Sequence, residues 1–130
     1  MTTPKADTKN GTAAGEEPAW PSDWLRATLG MCALKSLEAG PSYGYAIITA
    51  LEKSGLGSIK GGTLYPLLTR FETAGLLATE WRAGDGGPGR KYFALTQAGR
   101  TALAEQRTAW TLFTQTTNNH LNSGTREDTP

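Results

Sequence analysis

Between Lys60 and Glu72 the apolar residues Leu64, Leu67, Leu68 and Phe71 recur at i, i+3, i+4 and i+7, the spacing of one buried stripe on a single helix. The other side carries Thr63, Tyr65, Pro66, Thr69 and Arg70, with Lys60 just ahead of it: hydroxyls and positive charge, few acids. A short helix with an apolar back and a hydroxyl-plus-basic front suits insertion into a DNA major groove. The pattern then changes period. Leu77, Thr79 and Trp81 alternate with Leu76, Ala78, Glu80 and Arg82, which predicts a half-buried strand. Gly84-Asp85-Gly86-Gly87-Pro88-Gly89 reads as a loop tip, and a second alternating run, Arg90 to Thr96, closes a hairpin. Arg90 and Lys91 stand where the loop rejoins that strand.

Upstream, Ser22 or Asp23 is expected to cap a helix over Trp24–Glu38 with Leu25, Leu29, Cys32, Ala33 and Leu37 inward, ended by Gly40-Pro41. Ser42 is expected to cap a second helix, Tyr43–Lys53, packing through Ile47, Ile48 and Leu51, with Ser54–Ser58 as the turn that follows. Pro66 is expected at the edge of the first turn of the third helix, where its missing amide has little intrahelical partner to lose. Thr96 is expected to cap a last helix from Gln97 to about Asn118. Helix, helix, recognition helix and basic-edged hairpin make a winged helix-turn-helix, an α+β, mainly α class. The expected organisation is an N-terminal arm over 1–21, a DNA-binding domain over 22–96, a dimerisation helix over 97–119 and a tail over 120–130. Both ends read as disordered.

Gly62-Thr63-Leu64-Tyr65-Pro66, Gly75-Leu76-Leu77 with Trp81, Gly89-Arg90-Lys91-Tyr92 and Leu95-Thr96-Gln97-Ala98-Gly99 together resemble the PadR family of bacterial transcriptional regulators. Gly40-Pro41-Ser42-Tyr43-Gly44-Tyr45-Ala46-Ile47-Ile48 is similar to that family's second helix, and the likeness runs in order from about Leu25 to Trp110. The resemblance implies a DNA-binding repressor. Contact with DNA is expected at Tyr43, Lys60, Thr63, Tyr65, Pro66, Thr69, Arg70, Arg90 and Lys91, with Arg90 and Lys91 gripping phosphates from the wing. The glycine-rich wing tip departs from the more polar wings common in the family. The resemblance further implies a homodimer through the last helix, where Leu103, Trp110 and Thr117 recur every seven residues with Gln106 and Phe113 nearby. Some smaller members of the family bind planar aromatic drugs between tryptophans of the two last helices. Trp110 aligns with that position, which makes a small aromatic effector at the dimer interface an expectation beside the plainer one of a dimer-core tryptophan.

Composition tempers the picture. A chain of 130 residues is one domain by length, and its net charge is only +1. Residues 22–118 hold ten Lys/Arg and seven Asp/Glu, or +3; the two ends hold three and five, or −2, so a mildly basic domain is masked by its tails. Lone Cys32 and lone His120 offer no metal constellation, and no cofactor is expected. No nucleophile–base set, spaced carboxylate pair or phosphate-binding loop appears, so an enzyme is not expected. With no long apolar run or hydrophobic signal core, the expectation is a cytoplasmic protein with double-stranded DNA as partner and no membrane. The competing expectation is a winged helix that docks a protein, which the low net charge favours.

Overall fold

The computed structural model describes residues 20–84 and 86–124. The expectations for most of the N-terminal arm, for Asp85 and for the end of the tail fall outside these residues.

The elements run α1 (Ser22–Lys35), β1 (Ser42–Tyr43), α2 (Gly44–Leu51), a wide turn (Glu52–Leu56), α3 (Gly61–Thr73), β2 (Leu77–Gly84), β3 (Gly87–Leu95) and α4 (Gln97–Leu121). The three strands form one antiparallel sheet in the order β1-β3-β2. One core joins the elements: Leu29, Ala33, Leu34 and Leu37 from the first helix and its end, Ile47 and Leu51 from α2, Leu64 and Leu68 from α3, Leu77, Phe93 and Leu95 from the hairpin, and Leu103 from α4. Leu64 and Leu68 are completely buried. The stripe that defines the third helix is therefore the centre of the domain.

Several expected boundaries move, each for a local reason. The first helix begins at Ser22 behind an N-cap at Pro21 with no side-chain cap, so neither Ser22 nor Asp23 caps it. It ends at Lys35, before a chain of tight turns from Ser36 to Gly40. Ser42 does not cap the second helix either: Ser42 and Tyr43 pair with Phe93 and Tyr92 as a third strand, and α2 starts one residue later. The turn after α2 is broken by Gly55 at φ 100°, a left-handed conformation that glycine adopts without strain. Glu52 Oε2 accepts a hydrogen bond from the Ile59 amide at 3.1 Å, which fixes the approach to α3.

Two ends are fixed by local hydrogen bonds, and the second, the Thr96 cap, is where the sequence predicts it. The third helix closes on Gly75 at φ 82°, with the Leu76 amide bonded to the Phe71 carbonyl and the Gly75 amide to that of Glu72, the double bond of a Schellman stop. Thr96 caps α4: its hydroxyl accepts from the Gly99 amide at 3.0 Å and donates to the Gly75 carbonyl at 2.7 Å. The start of α4 is thereby tied to the end of α3. Any side chain at Gly99 would collide with the Leu76 carbonyl, so the close approach requires glycine.

Pro66 is sixth in α3, past the first turn. It removes the hydrogen bond that an amide there would give the Gly62 carbonyl, so the expectation that little is lost does not hold. The helix runs through it nonetheless, because the burial of Leu64 and Leu68 on either side holds that turn in place.

Leu68→Ala is expected to cost about 2–5 kcal/mol, since the side chain is fully buried and its loss leaves a cavity in the core. Chemical denaturation of the two proteins measures the difference directly.

Candidate nucleic-acid interface

At 3.6 residues per turn, burying Leu64, Leu68 and one edge of Phe71 turns Gly62, Pro66, Thr69 and Thr73 straight outward. All four are exposed, and no carboxylate stands between Lys60 and Phe71. The remaining expected contacts flank this arc on two sides. Lys60, Thr63 and Arg70 lie on the side of α1, where they rim a cleft floored by Leu25, Leu29, Ile59 and Leu67. Lys60 occupies the N-cap position, so Thr63 is inside the helix and its hydroxyl is not the cap. Arg70 is exposed, while Glu52 is engaged by the Ile59 amide and Glu72 by the wing.

Tyr65 lies on the opposite flank and is exposed over nearly half of its surface. Its ring covers Gly44 at the start of α2 so closely that a methyl group there would overlap it. The ring thus packs α3 against α2, and its outer side faces solvent. Tyr43, immediately before Gly44, is half-buried in the small sheet.

Glu72 joins α3 to the wing. Its Oε2 accepts from the Thr79 hydroxyl at 2.8 Å and its Oε1 pairs with Lys91 Nζ at 3.2 Å. These hydrogen bonds, first from Thr79 and then from Lys91, hold the Glu72 carboxyl below its ordinary pKa. Lys91 is thus half-buried on the inner face of the hairpin, its ammonium 5.5 Å from the Phe93 ring centre. The structure separates the two wing cations that the sequence groups together. Arg90 is exposed on the outer face, its guanidinium 4.5 Å from the centre of the Tyr43 ring.

Strand register reveals a residue that the sequence reading leaves out. Arg82 is the direct cross-strand partner of Arg90, so both point to the outer face. Period-2 alternation alone places Arg82 on that face; pairing it with Arg90 requires the register. The inner face has its own departure. Trp81, expected on a half-buried strand, is 72% exposed, because the hairpin extends beyond the core at that level. The extension arises because β3 begins at Gly87, which pairs with Gly84, and runs through Pro88 and Gly89 across a register irregularity rather than forming a loop tip.

On α4 the expected interface stripe divides. Leu103 is 3% exposed within a single chain and belongs to the domain core, so it is not an interface residue: the first turns of α4 pack on the hairpin and on α1. Beyond it, Gln106, Trp110 and Phe113 face α1 across a shallow groove of about 310 Å³ completed by Ala27, Met31 and Ala109. The Trp110 and Phe113 rings are tilted against each other at 5.8 Å. Thr117 is half-buried, and its hydroxyl donates to the Phe113 carbonyl. The helix is further fastened by Arg107, which pairs with Glu38 at 3.3 Å. Lys35, foremost, and Arg107 hold the Glu38 carboxyl below its ordinary pKa. Cys32 is half-buried beside the core, and burial raises its thiol pKa. Among the described residues no group of His, Cys, Asp and Glu could hold a metal ion, and no helix is long and apolar enough to cross a membrane.

Residues 33–105 match the model of the transcriptional regulator PadR-like family. A transcriptional regulator of Mycobacterium tuberculosis is 53% identical over 51 residues, which are 39% of this chain and 47% of that protein. The chain thus matches about half the length of this curated relative. Among solved structures, a PadR family transcriptional regulator from Eggerthella lenta is 36% identical, with a TM-score of 0.73 over 79% of this chain and 89% of that one. A PadR-like transcriptional regulator from Bacillus cereus is 32% identical, with a TM-score of 0.70 over 78% and 99% of the two chains. The four helices and three-stranded sheet described above are the mainly α winged-helix architecture of these neighbours.

The Glu72 anchor has a pH signature. A carboxyl held below its ordinary pKa of 4.5 stabilises the fold above that pH, and the contribution is lost as pH falls through the lowered value. Glu72→Gln should therefore melt below wild type at neutral pH, with the gap closing below pH 4.5. Melting curves followed by circular dichroism across that range test it; a gap that persists unchanged into acid would remove the carboxylate from the account.

Proposed function

The chain belongs to the PadR-like family of transcriptional regulators, and we propose that it works as a homodimeric, sequence-specific DNA-binding repressor. The observation that carries this reading is the outward arc of α3. Its back is sealed into the core, and its front carries a hydroxyl and a proline-stiffened turn flanked by Arg70, with no carboxylate from Lys60 to Phe71. On this reading Pro66 and Thr69 meet base edges in the major groove, with Tyr65 beside them. Lys60, Thr63 and Arg70 hold phosphates on the α1 side, and Tyr43 and Arg90 hold the backbone on the wing side. Lys91 acts through Glu72, keeping the wing at a fixed angle to α3, more than as a phosphate ligand.

The dimer reading is supported by what a single chain leaves uncovered. Trp24 on α1 and Leu112, Phe113 and Leu121 on α4 are more than half exposed. A second copy packing along α4 beyond Leu103 would bury this surface and place two α3 helices about one DNA turn, ~34 Å, apart. A two-fold protein then calls for a pseudo-palindromic operator. A planar aromatic effector would sit in the Trp110–Phe113 groove, where two copies bring two tryptophans together, and shift the angle between the heads so that DNA is released. Repression follows from occupying a promoter.

The test is fluorescence anisotropy of the full chain against a labelled duplex from upstream of its own gene and a scrambled duplex, over a range of salt. Tighter binding to the first is expected. If Lys60, Arg70 and Arg90 of two copies each hold a phosphate, log K should fall with log salt at a slope of about −5. Failure to bind either duplex at low salt would replace this reading with that of a winged helix that docks a protein.

A further inference from the structure

We propose that the outer face of the wing is a two-guanidinium phosphate clamp, made by Arg82 and Arg90, and that Glu80 is its built-in competitor. This deepens the DNA-binding reading and rests on it. The site is defined by sheet register. Tyr43, Tyr92 and Glu80 lie side by side across the three strands, and Arg90 and Arg82 form the adjacent row toward the hairpin tip. Alternation sends all five side chains to the same face.

Each arginine lies diagonally over a tyrosine of the neighbouring strand. The Arg82 guanidinium is 4.4 Å from the centre of the Tyr92 ring, and that of Arg90 is 4.5 Å from Tyr43. The two rings are themselves in contact, 5.4 Å between centres. A guanidinium laid on an aromatic face is held flat with its edge N–H groups free, the arrangement that suits bidentate grip of a phosphate. The tyrosines are shelves that fix two such edges before any ligand arrives.

Placing two like charges directly opposite each other on neighbouring strands is unfavourable in the free protein. One partner is neutralised locally: Arg82 Nε donates to Glu80 Oε2 at 2.8 Å, and both side chains are open to solvent. Arg90 stands beside this pair, and among the described residues no carboxylate pairs with it. An anion bridging both guanidiniums would remove their repulsion and displace Glu80 from Arg82.

The ligand class follows from where the patch ends. Tyr43 is contiguous with Gly44, and Gly44 is covered by the Tyr65 ring of α3. Arg90 lies over Tyr43, one residue along the chain from that contact, and on the DNA-binding reading the anion within reach of the clamp is the phosphate backbone of the DNA that α3 enters. Glu80 makes that grip weaker than two free arginines would, and uniform across sequences.

The same two duplexes and salt series decide it, using wild type, Arg82→Gln and Glu80→Gln in the full chain. Arg82→Gln should bind both duplexes about three- to fivefold more weakly at low salt, with a salt slope shallower by about 1 per clamp lost. Its melting temperature should match or exceed that of wild type, since one of two like charges has gone. Glu80→Gln should bind both duplexes more tightly than wild type. If wild type binds and Arg82→Gln retains its affinity and slope, the clamp is overturned while the DNA-binding reading stands. If Glu80→Gln binds no better, the competitor role is overturned. If wild type binds neither duplex, both readings fall together.

Discussion

The domain is organised by the complete burial of Leu64 and Leu68 in α3. Both belong to the one core cluster that the helices and the hairpin share, and burying two positions four residues apart leaves a helix no rotational freedom. The outward positions of α3 are then settled before any of them does anything. Gly62, Pro66 and Thr69 face solvent because Leu64 and Leu68 do not. The same constraint explains how a proline is tolerated inside the helix. A turn held from its inner side by two sealed leucines survives the loss of one backbone hydrogen bond, although Pro66 makes that turn more expensive to form.

Position along the helix is settled by a second layer of contacts. Tyr65 over Gly44 locks α3 to α2, and Glu72, through Thr79 and Lys91, locks it to the hairpin. Thr96 locks the stop of α3 to the start of α4. These contacts are polar or aromatic and partly exposed, so each is individually modest. Together they make the angle between recognition helix, wing and last helix a single rigid property. On the proposed reading, a shift of α4 caused by an effector in the Trp110 groove would reach α3 through Thr96 and Gly75.

How much of this was legible in the chain depends on the range of the interaction. Core stripes with helical period and the Thr96 cap are local patterns, and both are where the sequence predicts them. Ser42 and Tyr43 look like a helix start because a serine precedes an apolar helical run. Only their pairing with Phe93 and Tyr92, fifty residues on in the chain, makes them a strand. Leu103 belongs to a seven-residue repeat that continues to Trp110, and the repeat does not show where the domain ends and the free part of the helix begins. Arg90 and Lys91 are neighbours in sequence but opposite in a strand, so one faces outward over Tyr43 while the other pairs with Glu72. Arg82 was missed for the converse reason: its partner is eight residues away across a hairpin whose register the glycine-rich tip conceals. Of the residues expected to touch DNA, Lys60, Thr63, Tyr65, Pro66, Thr69, Arg70 and Arg90 are exposed, Tyr43 is half-buried and Lys91 pairs with Glu72.

A net charge of +1 sits uneasily with a DNA binder until the cations are sorted by what they face. Arg107 faces Glu38, Lys91 faces Glu72 and Arg26 faces Asp23, so these charges are balanced within the chain. Lys60, Arg70 and Arg90 stand apart from these pairs around α3 and the wing, with Arg82 balanced only by an exposed carboxylate. A field built from so few charges, diluted by acidic ends, gives weak attraction to DNA at large and makes each phosphate contact a substantial share of the total. On the proposed reading, one head alone has too few such contacts to hold a site firmly. Two heads joined along α4 convert the second set into an intramolecular event, whose gain depends on the spacing of the heads matching that of the half-sites. Selectivity then comes from geometry as much as from base contacts, and the rigid contacts that fix α3 against the wing and α4 are what give that geometry its value.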